Sequence, residues 1–428
     1  APTTPAAAPW RRRRAPSTKV AVMALGRLLL SARQGMAHGS TTRDPYGTAP
    51  RPRGSVLMLA LLWAVALILP PAAAEPRSGP GVPGRAQRTG WRSGSVLSLT
   101  FSGDGRRLAA AGRGGSFYVW DVATGRVVTA IHQWRWRPVR GSLALSPHGT
   151  LLAAGLAPST LSALAPSPTR AIHYHPVRIW NVETGRQYRE LRELELFWAH
   201  IPLALSFSPT GRYLAVGESF LLAPARGHLK VWELSSGKQI REFARDAMEV
   251  RALQFSPQGL IVAQPVGGSA GEAPVTLWDV ATGGVLRTFP GCTAMLLAFS
   301  PDGQTLACSG ERIHVWDVAT GRAYPRPQAR YGMLTLVFSD DGKELVGASP
   351  RRGVYIWEVS SGRRVGGCSP ADLQALRDPA ALSPGAKLLA WGDAHKPLVH
   401  LWDVQACKEI RSFSMERATK KSGQSVKQ

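Results

Sequence analysis

Apolar residues in this chain come in short runs of four to six, cut by Pro, Asp, Gly and Ser, rather than at the 3.6-residue spacing of a helix. The clearest stretch is residues 296–321, LLAFSPDGQTLACSGERIHVWDVATG. A first run ends in Phe299-Ser300, and Pro301-Asp302-Gly303 turns the chain. A second run covers 305–309, and a third covers 313–316 and ends in Trp-Asp. Thr320-Gly321 then turns the chain again. Runs of this length between such turns predict strands joined as hairpins.

The unit recurs. The Trp that ends the third strand appears as Trp120, Trp180, Trp232, Trp278, Trp316, Trp357 and Trp402, which is half of the 14 Trp in the chain. The first-strand ending recurs as Phe101-Ser102, Leu145-Ser146, Phe207-Ser208, Phe255-Ser256, Phe299-Ser300, Phe338-Ser339 and Leu382-Ser383. Thr-Gly or Ser-Gly turns follow six of the Trp positions, and a fourth strand is expected after each turn.

This pattern resembles the WD40-repeat family, and we expect a bacterial-type member of it. A period of about 40 to 45 residues with a terminal Trp-Asp marks four-stranded propeller blades. The resemblance covers roughly residues 91–414 and implies an all-β fold: a seven-bladed β-propeller of four-stranded antiparallel blades. One such sheet cannot bury both faces, but seven around an axis can. The family often adds a Gly-His pair and an Asp that hydrogen-bond with the Trp. Here the Gly-His pair is missing from its place and Asp393 is the only well-placed Asp, so the blades are expected to cohere through apolar packing. The last blade has its own candidate fourth strand at 408–413, with 85–91 as its competitor for that edge. Blades five and six read as regular, and blade seven as looser.

Outside the repeats the chain divides into a basic segment at 1–54, a signal-like or anchoring segment at 55–74, a linker at 75–91, the propeller at 92–414 and a basic tail at 415–428. Residues 1–54 are rich in Ala, Pro, Arg and Ser without a period and are expected to be disordered. Residues 56–69, VLMLALLWAVALIL, are uncharged, follow Arg51 and Arg53, and precede Ala72-Ala73-Ala74. That order resembles a secretory signal, and the run is short for a membrane span. The sequence opens on Ala1, and a start at Met36 would give the run the position a signal needs. Export or membrane anchoring is expected, with a cytoplasmic location as the alternative.

The net charge is +24, with 42 Arg and 10 Lys. Such a balance suits an anionic surface. It also suits a biased composition, because no nucleic-acid-binding motif accompanies it. Cys292, Cys308, Cys368 and Cys407 lack CxxC spacing, which argues against zinc. Cys308 reads as a small core residue, and a Cys368–Cys407 pair is left open.

Three insertions fall between second and third strands, in blades two, three and four. In a meander those connections share one end of the ring with the blade-to-blade connections. One face is therefore expected to carry the loops and to bind partners. Its candidate contact residues are Trp134, Arg135, Trp136 and Arg137, then Arg170, His173, His175, Trp198, His200 and Arg226. His173 and His175 form an H-x-H pair without a visible third ligand, so no metal site is assigned. No H-E-x-x-H, P-loop or G-x-S-x-G motif occurs. We therefore expect no catalytic residues and no cofactor: a monomeric, non-catalytic scaffold with protein partners of unknown identity. Two alternatives are an enzyme or small-ligand site at the channel mouth, and a basic surface that binds nucleic acid or anionic lipid.

Overall fold

A computed structural model of the chain describes residues 95–133, 136–158, 176–191, 200–220, 227–247, 249–266, 274–292, 296–329, 332–350, 352–368, 379–393 and 396–415. Regular structure in them is β-strand, arranged as seven antiparallel sheets. Six have four strands and one has three. In every sheet the strands lie in chain order, so each is a meander.

The repeat markers have local jobs. The Ser300 hydroxyl accepts the Thr305 N–H (2.9 Å) and donates to Asp302 (2.5 Å), closing the first hairpin around Gly303 at φ +68°. The Asp317 carboxylate accepts both the N–H and the hydroxyl of Thr320 (2.7 Å each), closing the third hairpin. Those bonds, the hydroxyl's first, hold its carboxyl below the usual Asp range. Asn181 makes the same pair of bonds to Thr184, which explains why Asn replaces Asp there without loss of the turn. The repeated acids are therefore turn formers.

Packing closes the ring. Seven buried apolar clusters each join two neighbouring sheets. Each repeat Trp faces the preceding blade; Trp180, for example, packs on Phe117 of blade one at 5.2 Å. Trp120 of blade one meets Phe413 of blade seven, also at 5.2 Å, so the last blade seals against the first. An aromatic of this size buries about 150–250 Å², roughly 4–6 kcal/mol of transfer free energy before entropy is counted. Blade seven completes itself with the strand Lys408–Ser414, paired to Leu398–Asp403.

A polar clamp reinforces the apolar seams. Six of the third-to-fourth strand pairs carry a bulge immediately before the Trp. The residue after that bulge is aimed at the next blade. In blade two it is Arg189, which donates to the Ser235 and Ser236 carbonyls of blade three. Arg241 does the same to Val280 and Ala281 of blade four, and Arg287 to Ala319 and Thr320 of blade five. Arg411 approaches Gly125 of blade one, which closes the circle. Some of the excess Arg is thus structural mortar.

Two expectations are corrected. Blade five is not regular: only Leu296–Phe299, Thr305–Ser309 and Ile313–Asp317 form its sheet. The chain that should form the fourth strand reads AYPRPQ at 323–328. It makes one bridge, Ala323 to Trp316, and one bond, Tyr324 N–H to the Val315 carbonyl. Pro325 and Pro327 then supply no N–H for a ladder. Cys308 is buried in the core, but it is disulfide-bonded to Cys292 rather than free.

The second disulfide, Cys368–Cys407, has a Cα–Cα separation of 5.5 Å and links blades six and seven. Cys407 occupies the place of the turn glycine at φ +51°. In other blades a Cβ built on that glycine points at the outer strand of the preceding blade. A side chain there is therefore aimed at Cys368, and a covalent bond stands where the Arg clamp is missing. Replacing Cys368 by Ala together with Cys407 by Gly, which suits that φ, should cost about 2–4 kcal/mol. Urea unfolding with and without reductant measures it. A variant as stable as the oxidised parent would show that the bond does not form.

Asp393 does not serve Trp402. Its carboxylate accepts the Lys396 N–H (3.0 Å), and the Trp402 indole N–H has no hydrogen-bond partner among the described residues. The same holds for Trp357. These interfaces are apolar, as expected.

Candidate functional site

The two ends of the ring differ. One carries the first and third hairpins of each blade, which are tight. The other carries the second hairpins and the blade-to-blade connections. Two bonds show that they share this end: Gln133, after the outer strand of blade one, donates its N–H to the Gly115 carbonyl (2.7 Å), and Trp136 donates to Gln133 (3.1 Å).

This loop-bearing end is stepped. The inner strand of blade two, Trp136–Leu145, has 10 residues, and that of blade three, His200–Phe207, has 8. The inner strands of blades five, six and seven have 4, 4 and 3. The extra pairs lie at the loop end, such as Trp136 with Pro158 and His200 with Phe220. At about 3.3 Å per residue, blades two and three stand roughly 10 Å or more above blades five to seven, while blades one and four, with inner strands of 6 and 7 residues, are intermediate. Trp136, Arg137 and His200, expected in connections, are thus strand residues of this ridge.

Trp136 is half-buried against the core between blades one and two. The Arg178 guanidinium lies 5.1 Å over its ring, donates to Gln133 (2.6 Å) and pairs with Glu190 (3.1 Å). Trp136 therefore braces the loop end of the ridge, while Arg137 is exposed. Trp134, Arg135, Arg170, His173, His175, Trp198 and Arg226 lie outside the described residues.

Sequence reasoning missed a second layer beneath the ridge. Lys230, two residues before Trp232, is fully buried and pairs with Glu218 at 3.1 Å. Beside it His228 pairs with Glu242. Strand alternation supplied the signal: a residue two before the Trp faces the same interface, so Lys or Arg there is a buried cation needing an acid.

The central channel is a cavity of about 820 Å³, bounded by inner-strand residues of all seven blades. Asp104, His148 and Asp340 stand at its mouth on the tight-turn end. Asp104 is bound to the Ser102 hydroxyl (2.6 Å) and the Arg106 N–H (3.0 Å), and Asp340 to Lys387 (2.6 Å). Polar residues of the wall tie blades together: Ser98 accepts the Gly141 N–H, Ser206 that of Phe255 and Thr335 that of Leu382. Among the described residues no three His, Cys, Asp or Glu converge as metal ligands.

A family model described as "WD domain, G-beta repeat" matches residues 84–121 and 283–317, the first and fifth Trp-Asp units. The chain carries WD40 repeats. The transcriptional corepressor LEUNIG_HOMOLOG of Arabidopsis thaliana is 22% identical to this WD40 protein over 61% of the chain and 35% of its own length. Nuclear distribution protein PAC1 of Arthroderma otae is 26% identical over 54% of the chain and 45% of its own length. Cilia- and flagella-associated protein 52 of Chlamydomonas reinhardtii is 32% identical over 31% of the chain and 22% of its own length. The chain thus spans less than half the length of each of these relatives. They are plant, fungal and algal proteins, which gives the bacterial-type expectation no support. The first of these relatives is a transcriptional corepressor and the second a nuclear distribution protein. Among the described residues no helix is long and apolar enough to cross a membrane; residues 56–69 lie outside them.

Proposed function

We propose that this WD40 protein is a non-catalytic scaffold whose protein partners dock on the stepped, loop-bearing face, over blades one to four. The ridge of blades two and three carries the reading. It is where two of the three insertions leave the ring, and a raised wall beside a shallower floor offers a partner two surfaces to contact. The acids at the opposite end are engaged in turns and ion pairs, which argues against that end as a reaction centre. Fold likeness by itself does not set function, so the test addresses the face. Residues 159–175 are replaced by an Asn-Gly turn, and partners are recovered by pull-down beside the parent and an Arg126→Ser control at the tight-turn end. Loss of partners only in the ridge variant supports the proposal; equal recovery in all three removes it.

We also propose export or membrane anchoring. The uncharged run at 56–69 with Ala72-Ala73-Ala74 after it is one support, and the pairing of all four cysteines is the other. A mature chain beginning at Glu75, or a full-length chain in the membrane fraction, is the expected result. Free thiols in protein alkylated before lysis would count against it.

A further inference from the structure

We infer that the loop-bearing face takes an acidic, extended protein segment, held between the ridge and an arc of basic hairpin tips; this rests on the scaffold reading above. The second hairpin is described throughout in blades one and five and in part in blades six and seven, and the described residues of each tip include an exposed cation: Arg113, Arg312, Arg352 and Lys396. Blades five, six, seven and one are consecutive around the closed ring, so the four tips form one arc. The arc faces blades two and three across the channel, and Arg137 adds a cation on the ridge. Among described side chains the acids beside these tips are the exposed Glu311 and the half-buried Asp393. The tight-turn end, by contrast, interleaves signs, with Arg107 on Asp121 (2.6 Å), Arg212 on Glu233 (2.7 Å) and Lys387 on Asp340 (2.6 Å). The charge excess is therefore directional, and a complementary partner is steered to one face.

Shape selects the class of partner. A flat bilayer meeting the ridge would be held roughly 10 Å from the hairpin tips of blades five, six and seven, about one Debye length, where attraction is largely screened. A single-stranded nucleic acid needs aromatic platforms on which bases stack. Exposed large hydrophobics among the described residues lie on outer strands away from this face, Tyr188 and Ile410 among them, and Trp136 is capped by Arg178. An extended chain with repeated carboxylates can follow the step and meet successive guanidinium groups.

The test uses fluorescence anisotropy of the full chain with a fluorescein-labelled peptide of alternating Glu and Ser. One variant carries Arg113→Ser, Arg312→Ser, Arg352→Ser and Lys396→Ser. A control removes equal charge from the other end, with Arg126→Ser, Arg186→Ser, Arg322→Ser and Lys408→Ser. Circular dichroism melts verify that both fold. The hairpin variant should bind about tenfold more weakly and the control within about twofold of the parent, and binding by the parent should weaken between about 50 and 300 mM salt. Equal weakening in both variants, or no binding by the parent, overturns the inference. So does tighter binding of a single-stranded oligonucleotide of equal charge, or of phosphatidylserine vesicles. If partners are lost with residues 159–175 while the hairpin variant behaves like the parent, the face stands and the acidic partner falls.

Discussion

Replacing Trp357 with alanine should lower the unfolding free energy by about 3–5 kcal/mol, while Trp357→Phe should cost roughly 1–2 kcal/mol. The side chain is fully buried between blades five and six, with the Tyr355 ring stacked on it at 5.5 Å. Alanine removes that contact area and leaves a cavity which two rigid sheets cannot collapse to fill. Phenylalanine keeps most of the area. The Trp357 indole N–H has no partner among the described residues, so phenylalanine breaks no hydrogen bond. Urea unfolding monitored by circular dichroism checks both values. If phenylalanine proves as costly as alanine, the indole makes a bond and the interface is not held by packing alone. Blade five is also the three-stranded sheet, so damage here falls on the sector with the fewest ladder hydrogen bonds.

Lys230→Ala should destabilise by about 3–5 kcal/mol, because it removes one half of a buried ion pair. The Lys230 side chain is 0% exposed and that of Glu218 is 11% exposed, with 3.1 Å between nitrogen and oxygen. Bringing both charges out of water costs more than their attraction alone returns, so the pair matters most when half of it is removed. Lys230→Met combined with Glu218→Leu should therefore recover to within about 1 kcal/mol of the parent. A double-mutant cycle on thermal or urea unfolding gives the coupling directly. Additive losses from the two single changes would mean that the groups do not interact.

Blade number and strand order were readable because they are local. A hairpin turn needs Asp, Ser, Thr and Gly at set offsets, and seven repetitions remove the ambiguity of one. The loop-bearing end followed from meander geometry. Blade five was misread although Pro325 and Pro327 were in view, since a Trp-Asp and a Thr-Gly turn precede them as in every complete blade. The candidate contacts divided for a different reason. Trp136 looked like a free anchor because nothing local announces Arg178, which is 42 residues away and crosses from the next strand pair to cover it.

The sequence by itself determined a chain of short antiparallel meanders, their turn chemistry and the residues that face a neighbouring sheet, because those properties repeat over fewer than fifty residues and need no distant partner. Only the tertiary structure decided which groups meet across each seam: Arg189 with the Ser235 and Ser236 carbonyls, Lys230 with Glu218, Cys368 with Cys407, Trp120 with Phe413. Only it decided that blades two and three rise above blades five to seven. These pairings depend on how sheets rotate about a common axis, and burial strengthens contacts between residues that are remote along the chain.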